Sequence, residues 1–437
     1  MINFREYKNV GISYVIYIVG AVLALILQIL LARFMGAYQY GIYSFILASL
    51  TIISLIPRFG QDTILTRYIS EYLVKKQWGE LRGILSFSYS LSVYISVSLI
   101  VLLFIAVNVF QLKLDFNINI LKLGLIGVPI ICLAKFNQSS IQSLKKPGLS
   151  LLGNLIISPL LVIAGSVAAY YASAPVAEIL IWIYCLSIVL SHVVMICVLE
   201  KLLSGVPDAN TRIYKKREWI IAAVPLFISS GLNVLLGRID ILMLGFLADS
   251  REVGIYTIAS LIATPISFIL IAINNILAPE ISSLYQLGKT EELQEQLSGY
   301  MRIALVVTVP VVLFIFAAGH FILLLFGPVF TEGYIALLIL TVGQFLNVFM
   351  GSVGVIMSMT NRQRLSAIIL SFAVVVNILL NFVLIPDFGK VGASIATALT
   401  VILWNYLMYL HISKSLLINP TAMPVIRRYL KRASKRI

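Results

Sequence analysis

The sequence predicts an all-α polytopic membrane protein with about twelve transmembrane helices in two six-helix lobes. Three observations predict it. The 437 residues are 60% hydrophobic and only 11% charged, with a mean hydropathy of +1.01, whereas a soluble domain carries about 25% charged residues. Apolar runs of spanning length, about 20 residues, recur through the chain. Finally, the two halves repeat each other. Soluble catalytic and nucleic-acid-binding domains are excluded, because too few polar residues remain to cover them and the spans are joined by short turns.

In order, the expected span cores are 11–33, 41–66, 84–109, 118–142, 149–171, 177–199, 219–246, 253–279, 300–326, 333–358, 365–385 and 391–413. The first run, Val10 to Met35, is too long for the apolar region of a cleavable signal and lacks a small-residue cleavage site, so it reads as a retained helix. Lys and Arg set the orientation. Of the 32, 23 fall in connections on the side of the N-terminus, five on the other (Arg33, Lys113, Lys122, Arg251 and Lys390), and Arg58, Arg67, Lys135 and Arg238 lie within spans. Both termini are therefore expected in the cytoplasm. The net charge of +14 follows from this bias and from attraction to anionic membrane lipids; nucleic acid is not an expected partner. Cys132, Cys185 and Cys197 lie in apolar runs without metal-site or CxxC spacing and read as small core residues.

GIYSFILASL at Gly41 matches GIYTIASLIA at Gly254, an offset of 213. ILTRYISEYLVKKQWGEL at Ile64 matches ILAPEISSLYQLGKTEEL at offset 212, and LSLLGNL at Leu149 faces LSAIILS at offset 216. Three matches in order at nearly one offset argue for duplication. Six spans per half, an even number, make the repeat parallel, with a pseudo-twofold axis along the membrane normal, as in transporters whose halves rock about a central site. The expected units are an N-terminal lobe 1–205, a cytoplasmic linker 206–218, a C-terminal lobe 219–417 and a basic cytoplasmic tail 418–437.

Charges inside spans face a bundle interior or water. In span 2, Arg58 and Asp62 are four apart and share a helical face; they are either a self-neutralising structural pair or part of a cavity wall with Arg58 open to an anion. Arg67 stands near the interface, where it snorkels or flanks a cavity mouth; Arg33 has the same two readings at the other end of span 1. Span 4 carries AKFNQSSIQS, and spacing gathers Lys135, Gln138, Ser139 and Gln142 near one stripe, more polarity than a structural face needs. In span 7, Arg238 and Asp240 are two apart and cannot share a face; one is read as cavity-lining, the other as paired to a neighbouring helix. Gln344, Asn347, Asn377 and Asn381 read as interhelical hydrogen-bonding groups. No HExxH motif, no Ser/His/Asp grouping and no GxxxxGK[ST] loop occurs, so neither catalysis nor ATP use is expected.

RIDILMLGFLADSREVGIYTIA, LAPEISSLYQLGKTEEL, LLARFMGAYQYGIYSF, TRYISEYLVKKQWGELRG and LIPDFGKVGASIATALT together resemble the polysaccharide-exporter branch of the multidrug/oligosaccharidyl-lipid/polysaccharide transporter superfamily, nearest to the O-antigen or capsular repeat-unit flippases (Wzx type). The resemblance implies a fold similar to multidrug and toxin extrusion transporters. It also implies a substrate, an oligosaccharide on undecaprenyl pyrophosphate, moved between leaflets of a bacterial inner membrane. No cofactor is expected; energy would come from a proton or sodium gradient or the membrane potential, and partners would be the lipid-linked oligosaccharide, membrane lipids and other polysaccharide-assembly proteins. Two alternatives share the superfamily. An exporter of cationic drugs is expected to carry an acid in span 1, where this chain has Gln28; a peptidoglycan-precursor flippase is expected to have fourteen spans.

Overall fold

The computed structural model describes residues 4–424 apart from 111–113, 173–175, 206 and 208–210. The basic residues of the 418–437 tail lie outside the described residues. Every regular element among the described residues is helical. The first half comprises α1 (Phe4–Ile53), α2 (Leu55–Arg58), α3 (Gln61–Lys75), α4 (Trp78–Phe110), α5 (Ile118–Leu125), α6 (Val128–Ser143), α7 (Pro147–Leu152), α8 (Ser158–Tyr171) and α9 (Ala177–Leu203). The second comprises α10 (Lys216–Leu247), α11 (Ser250–Ala263), α12 (Phe268–Gln286), α13 (Thr290–Leu324), α14 (Tyr334–Met350), α15 (Val353–Met359) and α16 (Gln363–Leu416).

Ten stretches among the described residues are long and apolar enough to cross a membrane. Two of them, Val15–Arg58 and Gln363–Leu416, run to 44 and 54 residues, roughly twice what a bilayer needs. Each is a pair of spans joined at a glycine. In α1, Gly36 takes φ 68° and ψ 173°, open to glycine at little cost. The chain reverses there: the Tyr40 hydroxyl donates to Gln28 Oε1 at 2.5 Å, although twelve residues of straight helix would hold them about 18 Å apart. In α16, Gly389 takes φ 50°, and Asn377 Nδ2 reaches Thr400 Oγ1 at 3.3 Å across the turn. Dividing both stretches gives the twelve expected spans.

The faces are sorted as a lipid solvent requires. In α4, Val93, Val97, Val101, Leu102, Ile105 and Val109 are exposed, while Ser88, Ser92 and Ser96, four apart, are buried. With hydrocarbon outside, small polar residues mark the helix–helix face and large apolar ones the outer face.

Two compact units divide the chain, Met1–Arg238 and Ile239–Ile437. The division falls inside α10, some twenty residues beyond the 206–218 linker. The cause is packing. Trp219 and Ala223 are fully buried in the first unit's core with Tyr68, Tyr72, Phe136 and Leu199, and Trp219 Nε1 donates to the Tyr72 hydroxyl at 2.9 Å.

Candidate functional site

The polar groups of the first unit gather where two spans lose regularity. The helix through Arg58 stops there: Phe59 (φ 42°) and Gly60 (φ 71°) are both left-handed, and α3 begins at Gln61. Glycine is required at 60, since a Cβ would meet the Ala223 carbonyl at 2.7 Å. Span 2 is thus shorter than the expected 41–66. Arg58 and Asp62 still meet, across the break rather than along one helix. Arg58 Nη1 lies 3.4 Å from Asp62 Oδ2, with side-chain exposures of 12% and 23%, and Arg58 Nε donates to the Ser54 carbonyl at 3.2 Å. Asp62 sits in the first turn of α3, where the helix dipole favours a negative charge.

α6 runs beside this break: Cys132 Sγ lies 3.6 Å from the Ser54 carbonyl, about one turn from Lys135 on α6 and one turn from Arg58 on α2. Lys135 Nζ donates to Gln138 Oε1 at 3.1 Å, and the same oxygen accepts from Asn154 Nδ2 at 2.7 Å. Asn154 belongs to a single π-helical turn, Gly153–Ile157, a device common at functional sites. On the neighbouring face, Asn137 joins the Tyr89 hydroxyl to His192 Nδ1, the latter at 2.9 Å. Two cations, one carboxylate and two amides therefore converge, with one more positive charge than negative: an arrangement suited to holding an anionic group with polar neighbours.

The second unit contains a different centre. Asp240 is 4% exposed. Oδ1 accepts from Asn381 Nδ2 at 2.8 Å, and Oδ2 accepts from the Tyr256 hydroxyl at 2.9 Å and the Thr397 hydroxyl at 2.5 Å. Asn381 Nδ2 also donates to Asn377 Oδ1 at 3.0 Å, while Asn381 Oδ1 is buried without a partner. Among the described residues no Lys or Arg forms an ion pair with Asp240. Several neutral donors lower the cost of an enclosed carboxylate, but the burial of a net charge still costs several kcal/mol. A proton or a monovalent cation would cancel it, and the surrounding oxygens, carboxylate, amide and hydroxyl, are hard ligands that suit such an ion.

The remaining predicted residues do not join these clusters. Arg238 is exposed while Asp240 is buried, as two-residue spacing on a helix demands. Arg67 is exposed on α3 with its guanidinium 5.4 Å from the Tyr68 ring centre, and Arg33 is exposed on α1 near the Gly36 turn. Gln142 is exposed at the end of α6, away from the Lys135–Gln138 contact. Gln344, Asn347, Asn377 and Asn381 do bond between helices: Asn347 Oδ1 accepts from Asn405 at 2.9 Å, and Gln344 accepts from Ser267. Sequence reasoning missed Asn154, Tyr256 and Thr397. The signal for Asn154 was a lone amide after glycine in LSLLGNL; the other two carry no sequence signal, because their role depends on which helices adjoin Asp240.

A family model described as "Polysaccharide biosynthesis protein" matches residues 7–285, and a model named MatE matches residues 225–383. The chain is 30% identical over 172 residues to the "Probable flippase AglR" of Haloferax volcanii, covering 39% of this chain and 36% of that one, so the match spans about a third of that relative's length. Among solved structures, an inward-facing multidrug resistance MATE family transporter of the MOP superfamily superposes with a TM-score of 0.76 at 16% identity, covering 91% of this chain and 94% of that one. The lipid II flippase MurJ, in an inward closed conformation, gives 0.74 at 15% identity, covering 93% and 89%. These two likenesses establish the fold: an all-helical membrane fold of the kind shared by MATE transporters and MurJ. Since the first match extends over well more than half of its length, the chain belongs to the polysaccharide biosynthesis protein family.

Proposed function

We propose that the protein is a flippase for a lipid-linked oligosaccharide, carrying the sugar head from the cytoplasmic to the opposite leaflet by alternating access. The observation that carries this reading is the cluster of Arg58, Lys135, Gln138 and Asn154 at membrane depth. Such residues are costly in hydrocarbon and mark a transport path. Cations hold the pyrophosphate, while amides bond sugar hydroxyls; without such a path, each unpaired polar group of the sugar would cost several kcal/mol in the bilayer core. The relative AglR, itself described as a probable flippase, and the family's link to polysaccharide biosynthesis support the substrate class. Within it, our reading is a repeat unit on undecaprenyl pyrophosphate for O-antigen or another surface polysaccharide, with both termini cytoplasmic. Asp240 is assigned to energy coupling and not to substrate, because its enclosure leaves no face of the carboxylate for a sugar. It takes up and releases a proton or a sodium ion.

In cells that depend on this gene for surface glycan, Arg58→Ala and Lys135→Ala should each cut export about tenfold, the equivalent of about 1.4 kcal/mol for a lost charged contact, with protein level unchanged. Full export in both variants sinks the cationic path. The match of residues 225–383 to the MatE model favours a second reading, a drug exporter. Gene deletion separates the two: lipid-linked units held on the cytoplasmic face support the flippase, whereas altered drug resistance with normal surface glycan supports the exporter.

A further inference from the structure

Beside the cationic cluster, the first unit holds a hydrogen-bonded chain that the proposed transport path does not use. The Tyr89 hydroxyl on α4 donates to Asn137 Oδ1 on α6, and Asn137 Nδ2 meets His192 Nδ1 on α9 at 2.9 Å. Asn137 is fully buried, so these two partners set the direction of its amide. With the hydroxyl donating to Oδ1, Nδ2 presents a hydrogen to the ring and Nδ1 has to accept it. The imidazole is then neutral, with its proton on Nε2. The same atoms support a second arrangement. An imidazolium donates from both nitrogens, so Nδ1 requires Oδ1 opposite it. The amide turns over, Nδ2 donates to the Tyr89 oxygen, and the Tyr89 proton needs a new acceptor. Ser140 supplies one. It stands about one turn from Asn137 along α6, beside the Tyr89 hydroxyl. It is 1% exposed, and its Oγ has no hydrogen-bond partner among the described residues.

His192 also lines, with Gln138, Asn154 and Ser191, a polar void of about 10 Å³. That is room for about one water molecule and for no sugar, so the ring can exchange a proton there but cannot hold a head group. Among the described residues, no carboxylate on the elements packed against α9 faces it. α7 and the π turn carry no titratable group. Tyr170 on α8 stacks on Phe34 at the far end of that helix, and Lys122 on α5 is bonded to Asn108. On α1, Tyr17 and Arg33 are exposed, and Tyr43 meets α9 at Tyr184, about two turns before His192. The charge on this side is the Lys135 ammonium of α6, bonded to the Gln138 that shares the void. It opposes a second positive charge on the ring, and an anion held at Lys135 removes that opposition. We propose that His192 is a proton-binding site coupled to the anion site: an anion at Lys135 draws a proton onto His192 and reverses the Asn137–Tyr89–Ser140 chain. By linkage, the protonated ring tightens the hold on the anion. The coupling rests on the flippase reading and gives its anion site a dependence on pH.

The test follows the ring itself. The full chain, with nitrogen-labelled histidine, is placed in lipid nanodiscs and titrated between about pH 5 and pH 8 by solid-state NMR. The titration is run in chloride and in sulfate of equal ionic strength; sulfate is the probe because it remains a dianion throughout. The chain has three histidines. The His192 signal is the one absent from His192→Gln or, should that variant not fold, the one kept in His320→Gln/His411→Gln. The expected midpoint lies inside this window, and sulfate raises it by about half a unit or more. Ser140→Ala should lower it by about half a unit, because that hydroxyl serves only the protonated arrangement. Tyr89→Phe should lower it as well, since the Tyr89 hydroxyl makes two bonds in the protonated arrangement and one in the neutral. A ring that stays neutral throughout overturns the site. A midpoint that sulfate leaves in place overturns the coupling, while the flippase reading still stands or falls on export by the Arg58 and Lys135 variants. An unchanged midpoint in both Ser140→Ala and Tyr89→Phe overturns the reversing chain.

Discussion

The two halves hold themselves together in the same way and are equipped differently. In the first, Gln39 Oε1 accepts a hydrogen bond from the Ala177 backbone N–H at 3.0 Å; 213 residues on, Glu252 Oε2 accepts the corresponding bond from Lys390 N–H at 2.7 Å. Tyr43 and Tyr184 meet edge to face at 6.3 Å, and their counterparts at the same offset, Tyr256 and Thr397, share a hydrogen bond at 3.1 Å. The duplicated scaffold therefore survives down to single contacts. Its chemistry does not. Leu27 stands where the second half has Asp240, and residues 160–171 of span 5 contain no Asn or Gln to match Asn377 and Asn381. Conversely, Leu270 and Asn274 occupy the places of Arg58 and Asp62. Basic chemistry stands in one half and a buried acid in the other, each on the same duplicated frame.

The strongest way to break this comparison is to transplant the acid. Leu27 is buried, and Leu27→Asp places a carboxylate in a half whose span 5 lacks the amides that α16 sets beside Asp240. An Asp at the centre of a membrane helix costs about 2.5–3.5 kcal/mol on insertion scales. The variant should show a sharply lower folded yield and a lower midpoint of thermal unfolding in detergent. Wild-type stability would mean that the hydroxyls of Tyr43 and Tyr184, at the places of Tyr256 and Thr397, suffice for the acid, and that the amides beside Asp240 are not what makes it tolerable.

A smaller effect is expected from neutralising the native acid. Asp240→Asn retains the volume and removes the charge, so the fold should persist while transport loses its dependence on the gradient. Export should fall about tenfold, about 1.4 kcal/mol in barrier, and should no longer respond when the sodium or proton gradient is collapsed. Undiminished, gradient-sensitive export in Asp240→Asn would remove Asp240 from coupling.

Most of the scaffold was legible in the sequence, because spans follow from hydropathy and the repeat from matching strings. The two double-length helices illustrate the limit: Gly36 and Gly389 reverse the chain with no loop, yet hydropathy dips at the right places, and twelve segments were countable. The break at Phe59–Gly60 was not. A left-handed pair inside an apolar-to-polar transition depends on the close approach of α10 to Gly60, which is a tertiary fact. The sites divide in the same way. Arg58–Asp62 and Lys135–Gln138 are near in sequence and could be paired by helical spacing. Asp240 was visible as a charge, but its partners lie 16 to 157 residues away, and no periodicity reports which helices will enclose it. The packing of Trp219 is a tertiary fact of the same kind: it begins a new span, yet its indole is committed to the core of the unit before it.

The finest test exchanges the two staples. Gln39 contributes one neutral acceptor to Ala177 N–H. Glu252 does more, since it also pairs with Lys390 Nζ at 2.6 Å, both side chains being only 14% and 21% exposed. Glu252→Gln converts the second staple into the first: the backbone bond stays and the ion pair goes. A charge-assisted bond is worth about 1.5–3 kcal/mol and a neutral one about 1, and partial exposure screens the charged pair further. The expected loss is therefore about 1 kcal/mol or less, read as a small fall in unfolding midpoint with export retained. Gln39→Glu, the reverse exchange, creates an acid opposite Ala177, which has no ammonium to offer, and should stabilise nothing. Equal and opposite changes in the two variants would show that the staples differ only in charge. A large loss in Glu252→Gln would instead mean that the Gly389 turn, whose Cβ position lies 2.5 Å from Glu252 Oε2, is held by the carboxylate rather than by its own backbone.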